Sequence, residues 1–273
     1  MIQVQRFLAR ACALSAAVMA SGCAMKPLDL DSASKGSQLK PVVVTTTKYA
    51  IQTLQPQSVH GELLRVYIEG DGRAWITSHT ISDDPTPIKS MAPGLAVDDP
   101  NPAVYMARPC QYILGANCSQ SVWTSARFSK EVIQAESEVL DSLKSHYGVQ
   151  GFELVGYSGG GAVALLLAAS RTDVKQVQTI AGNIDPEAWT ELKHIAPLTG
   201  SLNPVDFADQ LAKVPQRHFI GMKDTIVPPD VSRAYMLKVQ PICGETVFVN
   251  ADHHSGFEES WAMNRDKTVK CER

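Results

Sequence analysis

The 273-residue chain lacks the residue patterns of several common functional classes. Its formal net charge is only −3 and it has no block of like charge, so the basic patch of a nucleic-acid-binding protein is not expected. It has no C-x-x-C or H-x₃-H spacing, which argues against a zinc site. The glycine-rich segment 156–160 has neither the glycine spacing of a dinucleotide-binding turn nor the lysine of a phosphate-binding loop. We therefore predict no metal ion, no cofactor and no nucleic-acid partner.

The sequence also lacks an apolar run of the ~20 residues that a membrane span requires. A shorter apolar run, residues 11–20, follows Arg6 and Arg10, as in a secretory signal. The small residues after it lead to Cys23, and this ending resembles a bacterial lipobox. The resemblance implies that residues 1–22 are a lipoprotein signal peptide and that Cys23 carries acyl chains such as palmitate. Ala24 in the next position implies sorting to the outer membrane.

The composition of the segment after the lipidation site indicates a flexible tether. Residues 26–40 are rich in Asp, Ser, Lys and Gly and show no apolar period, so we assign 23–45 to a tether and 46–273 to the folded domain. The expected location is the bacterial cell envelope, at the outer membrane facing the periplasm, with the acyl chains as the membrane contact. The alternative is an ordinary secretory signal with an incidental cysteine.

Cysteine usage agrees with export. Four cysteines remain after Cys12 and Cys23 are set aside, and an even number in an oxidising compartment favours disulfides. Four cysteines allow three pairings. We favour Cys110–Cys118, which closes a short loop, and Cys243–Cys271, which would tie the last helix to the body.

From residue 63 onward, β-rich runs alternate with helical patterns. The clearest helices are Lys130–Tyr147, which ends at Gly148, and Gly160–Ser170, which is nearly all apolar. Strand candidates are 63–68, 103–107, 152–155, 177–181, 218–222 and 246–249, and further helical patterns cover 205–214, 231–239 and 257–269. This alternation predicts a mostly parallel sheet covered by helices on both faces, with ligands bound beyond the carboxyl ends of the strands.

A candidate nucleophile follows one of these strands. Residues 156–160, Gly-Tyr-Ser-Gly-Gly, match G-x-S-x-G between a strand and a helix, which is the context that the motif requires. A sharp turn there would project the hydroxyl of Ser158 above the sheet, with small neighbours allowing the turn to close. The alternative is a glycine-rich turn with a structural serine.

Two later strands end in the residues that a serine nucleophile needs. A serine hydroxyl requires an adjacent base, and the base requires an orienting group. Asp224 follows the strand 218–222, and His253 follows 246–249. Asp185 is the competing acid and His254 the competing base, because adjacent side chains point apart and only one histidine can enter the site.

The order Ser…Asp…His on an α/β sheet resembles the α/β-hydrolase superfamily over roughly residues 60–270. The chain also resembles a lipoprotein subgroup of it, in the motifs Glu69-Gly70-Asp71-Gly72, Arg108-Pro109-Cys110 and Asp252-His253…Phe257…Trp261. The resemblance implies the α/β-hydrolase fold, with a central sheet of eight mostly parallel strands flanked by helices and a small or minimal cap. Segment 46–60 would supply an antiparallel edge. The subgroup motif favours His253 as the base.

The resemblance also implies an oxyanion hole. One backbone N–H comes from the loop after the strand 63–68, here near Asp71 and Gly72, and the other from Gly159, directly after the serine. The acids Glu69 and Asp71 would oppose an oxyanion if they faced it, so we expect them to bind Arg73 or a cationic substrate group.

Together these features predict a serine hydrolase of the esterase or lipase kind. It would cleave a small-molecule or lipid ester through an acyl-enzyme, with thioesters and amides as further substrates. The proline-rich segment 83–109 would rim the pocket and 185–204 would form a small cap. The alternatives are a non-catalytic lipoprotein that acts as a binding or assembly module, and an acyl transferase that excludes water.

Overall fold

The computed structural model describes residues 26–271. The predicted signal peptide and Cys23 lie outside the described residues. The strands are β1 (Leu39–Thr45), β2 (Ala50–Pro56), β3 (Leu63–Ile68), β4 (Trp75–Thr77), β5 (Thr80–Ile81), β6 (Ala103–Met106), β7 (Gly151–Tyr157), β8 (Val174–Ile180), β9 (Gln216–Gly221) and β10 (Gly244–Val249). The α-helices are α1 (Leu30–Ala33), α2 (Ala92–Val97), α3 (Gln120–Trp123), α4 (Lys130–Tyr147), α5 (Gly160–Ser170), α6 (Pro186–Lys193), α7 (Ala208–Leu211), α8 (Pro229–Val239) and α9 (Glu258–Asn264), and Pro204–Phe207 form a 3₁₀ helix.

Eight strands form one sheet in the order β1-β2-β6-β3-β7-β8-β9-β10, while β4 and β5 form a separate hairpin. Strand β2 runs antiparallel to both of its neighbours, and the other pairs are parallel. The predicted sheet of eight mostly parallel strands is confirmed. Segment 46–60 supplies the antiparallel strand β2, but the edge of the sheet is β1. Parallel pairing from β6 to β10 brings the carboxyl ends of β3, β7, β9 and β10 to one edge.

The folded domain begins earlier than residue 46. Residues 39–45, assigned to the tether from the sequence, form β1 and pair with β2 along its whole length. Leu30 in α1 is also buried. The sequence did not predict strand β1 because only Leu39 and Val44 of this edge strand are buried, so the segment has no apolar alternation. The structure therefore corrects this boundary.

The two clearest helix predictions are confirmed to the residue by α4 and α5. The predicted helix 257–269 is too long, because α9 stops at Asn264. The guanidinium of the buried Arg217 donates to the carbonyl oxygens of Asn264, Lys267 and Thr268. The side chain of Arg217 thus holds the irregular segment that follows α9 against β9.

Helices cover both faces of the sheet, as alternating strand side chains require. Val66 points into a core built largely from α4 and α5, and the next residue, Tyr67, points into a second core with α2 and α9. Among residues 26–271, no helix has the length and apolar composition needed to cross a membrane. The favoured cysteine pairing is confirmed, with disulfides Cys110–Cys118 and Cys243–Cys271.

Candidate active site

Ser158 lies in the tight turn between β7 and α5. Its φ of +51° is in the left-handed region, which is strained for a residue with a side chain. Its N–H donates to the carbonyl of Ile180 (3.0 Å), and its carbonyl accepts from the amides of Gly161 and Asn183 (2.9 Å each). Both sides of the turn are thus fixed to neighbouring backbone, which holds the strained conformation.

Glycine is required at the three positions around Ser158 because other backbone and side-chain atoms lie too close to leave room for a Cβ. A Cβ on Gly156 would lie 2.6 Å from the Cα of Gly161, and one on Gly160 would lie 2.6 Å from the carbonyl oxygen of Glu69. A Cβ on Gly159 would lie 2.6 Å from Cγ of Asp71. Real Cβ atoms essentially never approach closer than 3.0 Å. The glycines therefore allow the turn to close against α5 and against the loop that follows β3.

The structure brings Ser158, His253 and Asp224 together at the carboxyl edge of the sheet. Nε2 of His253 lies 2.9 Å from Oγ of Ser158, and Nδ1 lies 2.7 Å from Oδ2 of Asp224. The other carboxylate oxygen of Asp224 accepts the amides of Ile226 and Val227 at 2.8 Å each. His253 is 5% exposed and Asp224 4%. A proton on Nδ1 bound to Asp224 leaves Nε2 free to accept the serine proton.

The competing residues lie elsewhere. Nδ1 of His254 is 2.9 Å from the hydroxyl of Tyr157, and burial lowers the pKa of this histidine. Asp185 caps α6 and binds Nζ of Lys238 at 2.7 Å. Of the two predicted acids and two predicted bases, only Asp224 and His253 form the hydrogen-bonded chain to Ser158.

The loop that carries His253 is fixed by its own residues and by the turn below it. The hydroxyl of Tyr157 donates to the carbonyl of His253 (3.1 Å), and Oδ1 of Asp252 accepts the amide of His254 (2.8 Å). Phe257 is fully buried and anchors the end of the loop in the core. The residue before Ser158 thus also positions His253.

The predicted oxyanion-hole residues lie where the loop after β3 meets the serine turn. In residues 26–271, the amides of Asp71, Gly72 and Gly159 have no hydrogen-bond acceptor. The loop itself is held by Gln111, whose Nε2 donates to the carbonyl of Gly70 (3.0 Å), and Gly72 adopts φ +63°. Sequence reasoning did not identify Gln111, although it adjoins the motif 108–110.

Glu69 is a buried acid with its oxygens fully engaged. It accepts hydrogen bonds from the amide of Gly70 (2.8 Å), the hydroxyl of Ser90 (2.7 Å) and the hydroxyl of Tyr105 (2.9 Å). Burial raises its pKa. Glu69 therefore fixes the start of the loop that follows β3.

The charge of Asp71 is balanced by two arginines and not by Arg73, as the sequence suggested. Nη1 of Arg127 lies 2.5 Å from Oδ2 of Asp71, and Nη1 of Arg108 lies 3.5 Å from Oδ1. Both arginines are buried. Arg108 belongs to a motif noted in the sequence, whereas Arg127 has no local signal, because it meets Asp71 only through the fold.

These residues surround a cavity of about 420 Å³. Its walls combine the apolar side chains Trp75, Pro87, Trp189, Ile226 and Val227 with the polar side chains Lys89, Arg127 and Asn183. Helix α6 supplies Trp189 as a small cover. A larger groove of about 800 Å³ lies between β1 and α4, but it contains none of Ser158, Asp224 and His253. No group of His, Cys, Asp and Glu within residues 26–271 is arranged to hold a metal ion.

No protein-family model and no curated protein sequence matches the chain. Solved structures do resemble it, at low sequence identity. An esterase from Pyrococcus furiosus superimposes with a TM-score of 0.63 at 12% identity, covering 88% of this chain and 94% of that one. A putative lipase from Acinetobacter baumannii gives 0.53 at 12% identity, covering 87% and 92%. An acylaminoacyl peptidase from Pyrococcus horikoshii gives 0.57 at 13%, covering 88% of this chain and 44% of that one. The sheet topology and these similarities together show that the chain has the α/β-hydrolase fold.

Proposed function

We propose that the protein is a serine hydrolase that cleaves carboxylic esters through an acyl-enzyme. The observation that carries the proposal is the hydrogen-bonded chain from Ser158 through His253 to Asp224 at the carboxyl edge of the sheet. Strained backbone at a serine, a buried base and a buried acid in this order are the parts that nucleophilic catalysis requires. The open amides beside Ser158 add a place for a developing negative charge.

Each step of the reaction then has a group to perform it. His253 accepts the proton of Ser158 as Oγ attacks the ester carbonyl, and Asp224 stabilises the resulting imidazolium. The amides of Gly159 and of Asp71 or Gly72 bind the tetrahedral oxyanion. His253 then donates the proton to the departing alkoxide, which leaves as an alcohol. Water, deprotonated by the same imidazole, attacks the acyl-enzyme and releases the carboxylic acid and the free serine.

The structural neighbours favour ester substrates but include an enzyme that cleaves a different kind of bond. Two of the similar structures are described as an esterase and a putative lipase, and one is a peptidase. An ester is the default because its alkoxide leaves more readily than an amine. Thioesters and amides are the further candidates, and a small-molecule or lipid ester is the substrate we propose.

Labelling with a fluorophosphonate probe tests the proposal. Wild-type protein should be labelled and Ser158→Ala should not be, while Ser170→Ala, at the far end of α5, should label like wild type. Hydrolysis of p-nitrophenyl esters of increasing chain length should be lost in the same variant. An unlabelled wild type, or undiminished labelling of Ser158→Ala, would instead favour the non-catalytic binding module. Acyl transfer to added alcohols in preference to water would favour the transferase.

We also propose that the protein is a lipoprotein of the cell envelope, anchored through acyl chains on Cys23 at the outer membrane and facing the periplasm. The support is the sequence of the first 23 residues. In bacterial cells fed labelled palmitate, the full chain should carry label and fractionate with the outer membrane. Cys23→Ser should abolish both, and Cys12→Ser should change neither. Label retained by Cys23→Ser would refute the anchor.

A further inference from the structure

Asn183 is a buried polar side chain in the cavity for which the proposed reaction has no use. It follows β8, is 2% exposed, and lines the cavity that contains Ser158. Its side-chain amide has no hydrogen-bond partner among the described residues, and its Oδ1 is an unpaired buried atom. Buried amides are almost always paired, because an unpaired one loses its hydration without compensation. The unpaired amide therefore indicates a partner that comes from outside the chain.

The backbone holds Asn183 in this position. Ala181 takes an unusual φ of +50° as the chain leaves β8, and its N–H donates to the carbonyl of Phe219 (3.0 Å). The N–H of Asn183 donates to the carbonyl of Ser158 (2.9 Å). The backbone of Asn183 is thus tied directly to the turn that carries Ser158.

The surroundings indicate a neutral polar partner. The buried cation of the cavity, Arg127, is already paired with Asp71 at 2.5 Å, and the other cation on the cavity wall, Lys89, is exposed. The lining residues Trp189 and Val227 carry no side-chain acceptor. A carboxamide carries both donors and an acceptor, and it can present either after a half-turn of its terminal torsion. Hydroxyl and amide groups match this capacity, because each can donate and accept.

We propose that Asn183 is a specificity-determining residue, and that its carboxamide binds a hydroxyl or amide group close to the scissile carbonyl of the substrate. This inference rests on the proposed ester hydrolysis at Ser158 and names the substrate class: esters with a neutral hydrogen-bonding group near the reacting carbon, in preference to plain hydrocarbon esters. A site built to pair a polar group rejects the analogue without it, because the polar side chain is then left unpaired.

Matched esters test the inference. The comparison is kcat/KM for p-nitrophenyl butyrate, 3-hydroxybutyrate and N-acetylglycinate, and for ethyl and 2-hydroxyethyl butyrate. Wild type should prefer a polar member of either series by about 10-fold or more. Asn183→Leu, which keeps the branched shape and removes the hydrogen bonds, should bring this ratio close to one by lowering kcat/KM for the polar esters more than for the plain butyrates. Asn203→Leu is the control, because Asn203 also has an unpaired buried oxygen but lies outside the cavity. It should keep the wild-type ratio.

The results separate two kinds of failure. Ser158-dependent hydrolysis with no polar preference in wild type, or with a preference that Asn183→Leu retains, overturns the role of Asn183 and leaves the esterase proposal standing. No Ser158-dependent hydrolysis of any of these esters removes both. Equal loss of activity on polar and plain esters in Asn183→Leu, with a lowered Tm, identifies a purely structural residue and also overturns the inference.

Discussion

The substitution Gly159→Ala tests whether the loop after β3 and the serine turn form one oxyanion hole. Gly159 has φ −59°, which alanine adopts without strain, so the added methyl group acts through contact alone. That methyl group would lie 2.6 Å from Cγ of Asp71 and 2.9 Å from its Oδ2. The carboxylate is not free to swing aside, because Arg127 binds its Oδ2 and the guanidinium of Arg108 lies 3.5 Å from its Oδ1.

The size of the effect follows from the displacement. Relief of the overlap requires the Asp71 loop or the serine turn to move by about 1 Å, since a well-packed site has no space to absorb the methyl group. A shift of this size in a catalytic arrangement costs about 10²-fold in rate, in the range reported for loss of one oxyanion donor. We therefore expect kcat/KM for p-nitrophenyl butyrate to fall about 100-fold, or about 2.7 kcal/mol, mainly in kcat.

Two comparisons isolate the cause. Gly94→Ala, on the exposed face of α2 where no atom lies within 4 Å of the added methyl group, should leave kcat/KM unchanged. In an Asp71→Ala background the obstructing carboxylate is gone, so adding Gly159→Ala should cost less than about 10-fold. The reasoning fails if Gly159→Ala retains wild-type kcat/KM, or if its cost is the same with and without the Asp71 carboxylate.

Three further predictions concern the base, a disulfide and a buried histidine. Asp224→Asn should lower kcat about 10⁴-fold, because the amide no longer favours the imidazole tautomer with a proton on Nδ1, and circular dichroism should show an unchanged fold. Cys243→Ser opens a disulfide that spans 28 residues and should lower the free energy of unfolding by about 3–4 kcal/mol in urea titrations; a change below about 1 kcal/mol would contradict this. Burial lowers the pKa of His218 from 6.5 to about 3. As the pH falls below 6.5, His218 therefore becomes protonated in the unfolded chain but stays neutral in the folded chain. Stability should therefore fall with decreasing pH between about 6.5 and 3, by at most about 1.4 kcal/mol per pH unit, and His218→Gln should flatten that slope between pH 7 and 5.

The central parts of the site were predictable because their signals are local. Ser158 lies in a strand–turn–helix motif, and Asp224 and His253 each follow a β-rich run directly. Parallel strands bring their carboxyl ends to a common edge, so three residues that are distant in sequence were expected to meet there. Even the choice of His253 over His254 had a sequence basis, in the motif that continues to Phe257.

The parts that sequence reasoning missed depend on contacts across the fold. Arg127 lies in no motif, and its contact with Asp71 exists only because the segment before α4 passes beside the loop after β3. Asn183 is recognisable only from its burial and its lack of a partner, neither of which is visible in a single sequence. The early start of the sheet at Leu39 was missed for a related reason, since an edge strand exposed along most of its length has the composition of a tether.

The two acids beside the proposed oxyanion hole are compatible with catalysis because each has partners within the protein. Asp71 is bound by Arg127, lies 3.5 Å from Arg108, and packs directly against Gly159. Glu69 is fully buried and accepts three hydrogen bonds, and burial raises its pKa. A loop fixed in this way keeps its amides oriented before the substrate arrives, and electrostatic stabilisation by amides depends on that preorganisation. The acids that looked unfavourable in the sequence thus account for how a glycine-rich loop is held in place beside Ser158, as the proposed oxyanion hole requires.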